Sequence, residues 1–416
     1  MSPELESGQV SPIATQREVT RLASLRRVHD AFAWFRAHDR EIADFQMRLT
    51  SVPAPPFHEQ DRSDWYREEL RKLGFLPVEQ DDLGNVFAVY PGANPDAPLL
   101  AVSAHLDTVF PPDVQIQVKR EYNRLFGPGI SDNGAGLTAL WSVASVLRYC
   151  GFQLKTPVLF LANVGEEGEG DLRGFRYVFA QEHWRSRISQ VLVLDGAGVD
   201  TIVAQALGSR RFEVRVSGPG GHSWSDFGAP NPIVALARAI AALGELELPL
   251  DPKTTLNIGT IEGGTSVNTI PESAAMRVDV RSAATSEIDR LEDDLRETVA
   301  AAVAETQREA RESKKKLTLS VEVVGNRPAA ELRSDAPIMA VLRAVDEQIG
   351  IRSHIHRAST DANIPLSLGI DAAAIGAGGT GGGAHTLHEW YDPAGRDRAL
   401  KRILLVILAL AGVNEP

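Results

Sequence analysis

The sequence predicts an α/β protein: a largely parallel sheet flanked by helices, interrupted by an inserted ferredoxin-like βαββαβ domain. Three observations carry this. Residues 86–90, 99–103, 158–163 and 191–194 are short, nearly all-apolar runs, as in strands buried on both faces. Helical stretches fall between some of them, notably 134–149, which is the pattern of a helix-covered parallel sheet. Near Gly208 the texture changes to apolar–polar alternation, the mark of strands buried on one face. A chain of 416 residues is too long for one small core. The expected division is 1–207 and 329–416 as one domain, with 208–328 inserted into it.

Residues 1 to about 20 are polar with Pro and Gly and are expected to be loose. Helical stretches follow at 21–49, with a break near His38, and at 59–73, where Trp65, Leu70 and Leu73 suggest a buried stripe. Pro53-Ala54-Pro55-Pro56 separates them, and Gly74 is the expected stop. In the insertion, Phe212, Val214 and Val216 alternate with Glu213 and Arg215. A helix is expected at 232–243, then strands at 255–262 and 274–280. The second of these alternates Met276, Val278 and Val280 with Arg277 and Asp279. A long helix then puts Ile288, Leu291, Leu295, Val299 and Val303 on one stripe, ending in a solvated Glu-Ser-Lys-Lys-Lys run. A last strand alternates Leu317, Leu319, Val321 and Val323. The order β-α-β-β-α-β is the split arrangement of a ferredoxin-like sandwich. Helix 336–349, a Gly-rich segment and helix 396–411 close the chain.

A hydrophobic content of 43% with 24% charged residues is that of an ordinary soluble protein. The net charge of −12 makes nucleic acid and anionic membrane poor partners. Cys150 is the only cysteine, so no intrachain disulfide forms; it reads as core filler. The N-terminus lacks the pattern of a signal peptide, and the C-terminal apolar run 403–413 is too short to span a bilayer. A cytoplasmic location is the default expectation.

Chemistry gathers at the strand ends. His105 and Asp107 lie just past the 99–103 strand, and Asp132 sits in a Gly-rich turn before a helix. Glu166 and Glu167 follow 158–163, Asp195 follows 191–194, and His385 follows Gly-Gly-Thr-Gly-Gly-Gly-Ala. Strand ends and helix starts of a parallel sheet share one rim, where such sheets bind ligands. Imidazoles and carboxylates suit a divalent metal, and Asp107 is spaced to hold the second ring nitrogen of His105. Taken alone, His105 and Asp107 read as a polar loop beside a core histidine, and Glu166–Glu167 as a solvated pair. Taken together, two imidazoles and three carboxylates suit two cations sharing one carboxylate, with one Glu left over as a base. By chemistry alone His388 is as available as His385.

These segments resemble a family. Ala-His105-Leu-Asp107-Thr, the Asp132 turn, Gly-Glu166-Glu167-Gly, Leu-Asp195-Gly and His385-Thr-Leu-His388-Glu389-Trp390 are similar to the M20 di-zinc metallopeptidases. That group includes peptidase T, carboxypeptidase G and the acetylornithine and succinyl-diaminopimelate deacylases. The resemblance covers nearly all of the chain past residue 40. It implies two zinc ions per subunit, replaceable by cobalt or manganese. His105 and Asp195 would hold one, Glu167 and His385 the other, and Asp132 would bridge them through a residue whose peptide to Asn133 is cis. Glu166 would be the general base and Asp107 the partner of His105. The family's terminal motif selects His385 over His388.

The insertion resembles the family's lid and dimerisation domain, which implies a homodimer. There Gly-Pro-Gly-Gly-His222-Ser would place His222 in the partner subunit's site as an oxyanion donor; without the resemblance it reads as a strand-edge histidine. Asn268 and Arg281 match positions that hold substrate carboxylate or carbonyl, and a planar Arg fork suits a carboxylate. Arg281 reads equally as an ordinary strand-end arginine. Thr360, Asp361 and Asn363 resemble a substrate-side loop. Asn133 departs from the Asp, Lys or Met common at its position, and Trp224 and Asp226 fit no assigned substrate. The resemblance implies an exopeptidase of short peptides of the tripeptide aminopeptidase kind; N-acyl-amino-acid amidohydrolase is the alternative. An inactive scaffold is the third reading, against which the complete donor set argues.

Overall fold

The computed structural model describes residues 11–311, 314 and 316–414. The chain forms two compact units, Met1–Ala206 with Glu331–Pro416, and Leu207–Ala330.

The first unit is organised on a mixed sheet. Four neighbouring strands at its centre run parallel: Val158–Asn163, Leu99–His105, Ile188–Leu194 and Asp371–Ile375, in that spatial order. Val86–Tyr90 and Val78–Gln80 extend it antiparallel on one side, and Thr201–Ala206 on the other. His354–Ala358 lies parallel to Thr201–Ala206. Every residue of Leu99–His105 and Val158–Asn163 is buried, which is why neither run alternates. Helices Gly134–Cys150 and Arg396–Ala411 pack against Leu99–His105 and against each other.

Several expectations change here. Residues 12–20, expected to be loose, belong to helix Pro12–Ser24, whose Thr15, Val19 and Leu22 are buried; residues 1–10 lie outside the described residues. The 21–49 stretch is broken at Leu25 as well as at His38, giving Arg26–Ala37 and Asp39–Thr50. Leu99–His105 runs two residues further than expected, so His105 is the last residue of its strand rather than beyond it. A small sheet not foreseen pairs Thr380–Gly382 with Trp390–Asp392, Trp390–Asp392 with Arg124–Phe126, and Arg124–Phe126 with Lys119–Glu121. It fixes the segment around residue 385 to the one that leads into Asp132. No helix among the described residues is long and apolar enough to cross a membrane.

The second unit is a four-stranded antiparallel sheet ordered Thr254–Gly263, Ser273–Ser282, Gly208–Ser217, Thr318–Arg327. Taken in chain order the strands lie 2-3-1-4, the ferredoxin-like arrangement. Helices Pro232–Gly244 and Thr285–Glu309 cover it. Phe212, Val214, Val216, Met276, Val278 and Val280 meet Leu236, Leu291, Leu295 and Val299 in its core. The alternation in the sequence is thus the inward face of this sheet. The long helix ends at Glu309, and most of the 312–316 charged run lies outside the described residues.

Candidate metal centre

Four adjacent parallel strands end on one rim, and three of them, Leu99–His105, Val158–Asn163 and Ile188–Leu194, lead directly into His105, Glu166 with Glu167, and Asp195. His105 closes its strand in register with Asn163 and is 1% exposed. Its Nδ1 lies 3.0 Å from the Asp107 carbonyl oxygen. A carbonyl only accepts, so Nδ1 carries the proton in the neutral ring and Nε2 presents its lone pair, as a metal ligand must. Nε2 lies 3.2 Å from Asp132 Oδ1 and 3.8 Å from Asp195 Oδ1. Asp195 is set by its own N–H, which donates to the Ile375 carbonyl of the next strand.

Asp107 meets His105 twice. Its carboxylate forms an ion pair with His105 Nδ1 at 3.6 Å, and its carbonyl takes the shorter 3.0 Å bond. The carboxylate accepts from the Glu166 and Glu167 N–H groups at 2.9 and 2.7 Å. A fully buried carboxylate must be hydrogen-bonded, and the turn after Val158–Asn163 supplies those two donors. Asp107 therefore ties the glutamate pair to the histidine strand. Glu166 and Glu167 are 5% and 7% exposed, and donor atoms of His105, Glu166 and Glu167 lie within 4.8 Å of one another.

The Asp132 turn is clamped by a residue the sequence named without a role. Glu389 is fully buried and accepts from the N–H groups of Gly129, Ser131 and Asp132 at 2.7, 2.8 and 2.8 Å. The clue was a glutamate at fixed spacing after His385, facing a Gly-rich turn with free amides. Asn133 caps the following helix by accepting from Gly136 N, and its Nδ2 donates to the Leu194 carbonyl. Gly136 is required because a Cβ there would come within 2.4 Å of that same carbonyl. The Asp132–Asn133 peptide is cis.

His385 sits in the connection between Thr380–Gly382 and Trp390–Asp392 at φ 65°. Its Nε2 lies 3.2 Å from Asp132 Oδ2 and 3.1 Å from Glu167 Oε1. His388 does not join this cluster. Asp132 thus offers one oxygen to each histidine. The donors form two overlapping groups, His105–Asp132–Asp195 and Asp132–Glu167–His385, each within 4.8 Å. Among the described residues, only histidines make ion pairs with Asp132, Glu167 and Asp195. Carboxylates gathered without Lys or Arg, and interleaved with imidazoles, fit two divalent cations.

The electrostatics agree. Burial alone would lower the His105 pKa, but Asp107, Asp132 and Asp195 carry it well above its ordinary value. Bonds to Asp132 and Glu167 raise His385 to about 10. Burial would raise Asp132, yet its bonds to both histidines hold it below the usual carboxylate range. Glu167 is raised by burial, with Asp132 adding to the effect. Burial pushes Glu389 up to about 7 against its three amide bonds. In the absence of cations the imidazoles act as the counter-charges.

In the second unit His222 and Asn268 come together. The strand Gly221–His222 pairs with Thr269–Ile270, and Ser223 N donates to the Asn268 carbonyl. The Asn268 side chain accepts from Ser266 Oγ. His222 Nδ1 accepts from Trp224 N at 3.1 Å and Ser225 N at 3.4 Å, so its ring proton is on Nε2. Arg281 lies on Ser273–Ser282, with Nε donating to Asp279 Oδ2. Asp361 and Asn363, expected on a substrate-side loop, are 1% and 0% exposed. Asp361 Oδ2 accepts from Asn163 Nδ2, which ties the 360 turn to the end of Val158–Asn163, and Asn363 Oδ1 accepts from Thr360 N within the turn.

A helix-covered parallel sheet, an inserted ferredoxin-like unit and a carboxylate shared by two histidines define a class of proteins fitted to hold paired cations. The chain belongs to peptidase family M20/M25/M40, whose sequence profile matches residues 101–411. It is 31% identical over 288 residues to a probable carboxypeptidase of Aspergillus clavatus, covering 64% of this chain and 62% of that one. A probable carboxypeptidase of Aspergillus terreus is 29% identical over 272 residues, 59% and 61% of the two chains. The chain spans somewhat over three-fifths of the length of these relatives. Among solved structures, the aminopeptidase PepT of Bacillus cereus superposes with TM-score 0.70 at 21% identity, over 89% of this chain and 98% of that one. A Bacillus subtilis protein described as a dinuclear metal-binding peptidase of the M20 family gives 0.65 at 16%, over 91% and 100%. These structural likenesses establish the fold.

Proposed function

We propose that the protein is a metal-dependent exopeptidase that hydrolyses amide bonds of short peptides. The observation that carries the reading is the Asp132 carboxylate, with one oxygen 3.2 Å from His105 Nε2 and the other 3.2 Å from His385 Nε2. In this reading His105, Asp132 and Asp195 hold one cation and Asp132, Glu167 and His385 the other, with zinc the ion that best suits the donors. When bound, a pair of divalent cations supplies Lewis acidity to water and to the amide carbonyl.

The chain's own residues do the rest. Glu166, buried beside His105 and Glu167, takes the proton of the attacking water and passes it to the leaving amine. Asp107 fixes the Glu166 and Glu167 backbone, and so the direction of both carboxylates. His222, with its proton on Nε2, is the donor for the oxyanion that develops on the carbonyl, reaching the site of the partner in a homodimer built through the inserted unit.

Two substrate readings follow from the relatives. The likeness to PepT favours recognition of a free amino end. The probable carboxypeptidases at 29–31% identity favour recognition of a free carboxylate, which an N-acyl-amino-acid amidohydrolase also requires. Zinc-loaded enzyme assayed on free, N-acetylated and C-amidated tripeptides separates them. Cleavage of free and amidated peptides with rejection of acetylated ones supports the aminopeptidase. Cleavage of acetylated with rejection of amidated ones supports the carboxylate-directed reading. No cleavage by enzyme holding two metals per chain contradicts the proposal.

A further inference from the structure

We propose that Phe57 forms an apolar wall of the substrate pocket and selects peptides with a large apolar side chain next to the scissile amide. The inference rests on the hydrolytic reading above and adds a specificity residue to it. Phe57 lies in the connection between helices Asp39–Thr50 and Gln60–Lys72. That connection is fastened to the metal-bearing rim. Thr108 N donates to the Ala54 carbonyl, and the buried Arg62 donates to the carbonyls of Val52 and Leu106, the latter flanked by His105 and Asp107.

Phe57 combines two unfavourable properties. It holds φ 67°, a left-handed conformation that is a genuine outlier for a bulky residue, and the residue is 58% exposed. A ring kept for packing would be buried, and a residue kept for the turn would be Gly or Asn. Strain of this kind concentrates at functional sites. Phe57 is the third residue of the Pro55–His58 turn, in which His58 N donates to the Pro55 carbonyl, and Tyr122 lies in the two-residue turn between Lys119–Glu121 and Arg124–Phe126; both positions favour Gly or Asn on conformational grounds.

The ring is also built into place. The Arg173 guanidinium lies 5.0 Å from its centroid, and the Arg173 stem lies on Gly165, one residue before Glu166. A Cβ at Gly165 would come within 2.4 Å of Arg173 Cγ. Phe57 is therefore one side chain removed from the loop that carries the proposed base. Glu59, buried at 3% exposed, engages the Arg173 charge at 2.5 Å. What faces outward is an aromatic surface backed by a neutralised cation, which favours Leu or Phe side chains and gives Asp no advantage.

The test uses Phe57→Gly and Phe57→Ala with the metal-loaded enzyme. Glycine accepts φ 67° without strain, so F57G is expected to keep its melting temperature and metal content. Wild type and variants are assayed on tripeptides carrying Leu, Phe, Ala or Asp on either side of the cleaved bond. The expected result is a wild-type preference for Leu and Phe over Ala at one position. F57G should cut the ratio of kcat/KM on the Leu peptide to that on the Ala peptide about tenfold. A preference left intact in F57G, or equal losses on Leu and Ala peptides, overturns the assignment alone. A metal-loaded wild type that cleaves none of the panel overturns the hydrolytic reading, and this assignment falls with it.

Discussion

The two histidines of the proposed metal centre occupy opposite settings. His105 ends a fully buried strand, is 1% exposed, and has its ring held from behind by a carbonyl. His385 sits in a Gly-rich connection, with its side chain 55% exposed and its backbone at φ 65°. One donor group is thus framed by sheet interior and the other by loop and solvent. The difference teaches that the strand side is fixed by the sheet interior, whereas the loop side stands open to water.

The largest effect expected lies between the two halves. Glu166→Gln should lower kcat by roughly 10²–10⁴-fold, the worth of a general base, while both metals remain by elemental analysis. Metal loss, or near-wild-type turnover, would remove Glu166 from that role. Next come the residues that aim the ligands. Glu389→Gln leaves one of three amides facing an NH2 group, and the Asp132 turn should shift. Metal affinity is expected to drop about 10–100-fold, as for other supports behind ligands, measured by competition with a chelating dye.

Stability sharpens the contrast. In the metal-free protein His105→Ala removes a buried cation from among Asp107, Asp132 and Asp195, and should cost about 3 kcal/mol in a denaturant titration. His385→Ala also strips a partner from Asp132 and Glu167, but its half-exposed side chain is screened by water, so the cost should be smaller, about 1 kcal/mol. Equal losses would erase the distinction drawn between the halves.

The smallest effect is a proton count. Metal-free His105 and His385 both hold their ring proton more tightly than a free imidazole, because their carboxylate neighbours raise them, His385 to about 10. A metal needs the unprotonated ring, so binding should release about two protons near pH 7, read by calorimetry in buffers of different ionisation enthalpy. The sign for stability follows. The His385 contribution in the metal-free protein is complete below its ordinary 6.5 and is lost as pH rises through about 10. Release should accordingly decline as the titration pH approaches 10.

Much of this was legible in sequence because burial and chemistry leave marks. Val158–Asn163 and Leu99–His105 are buried on both faces and so are continuously apolar, and the donors stand at their ends. The inserted sheet is buried on one face and so alternates. What stayed hidden has physical reasons too. Asp371–Ile375, which leads to His385, is Asp-Ala-Ala-Ala-Ile, without the β-branched run that marks a strand. The strands that fix the 380–392 segment are three residues long, too short for any period. The shortest bond to His105 Nδ1 comes from a backbone carbonyl, which no residue type advertises. Asp361 and Asn363 looked available because polar residues in a loop read as exposed, yet Asn163 and Thr360 draw them inside. The left-handed backbone of Phe57 leaves no trace in a Pro-Pro-Phe-His run.

The most direct test of the central claim is anomalous diffraction from crystals grown with zinc. The account predicts two peaks about 3.5–4 Å apart on either side of the Asp132 carboxylate, one against His105 and Asp195 and the other against Glu167 and His385. A single peak, or two peaks that do not share Asp132, would contradict it.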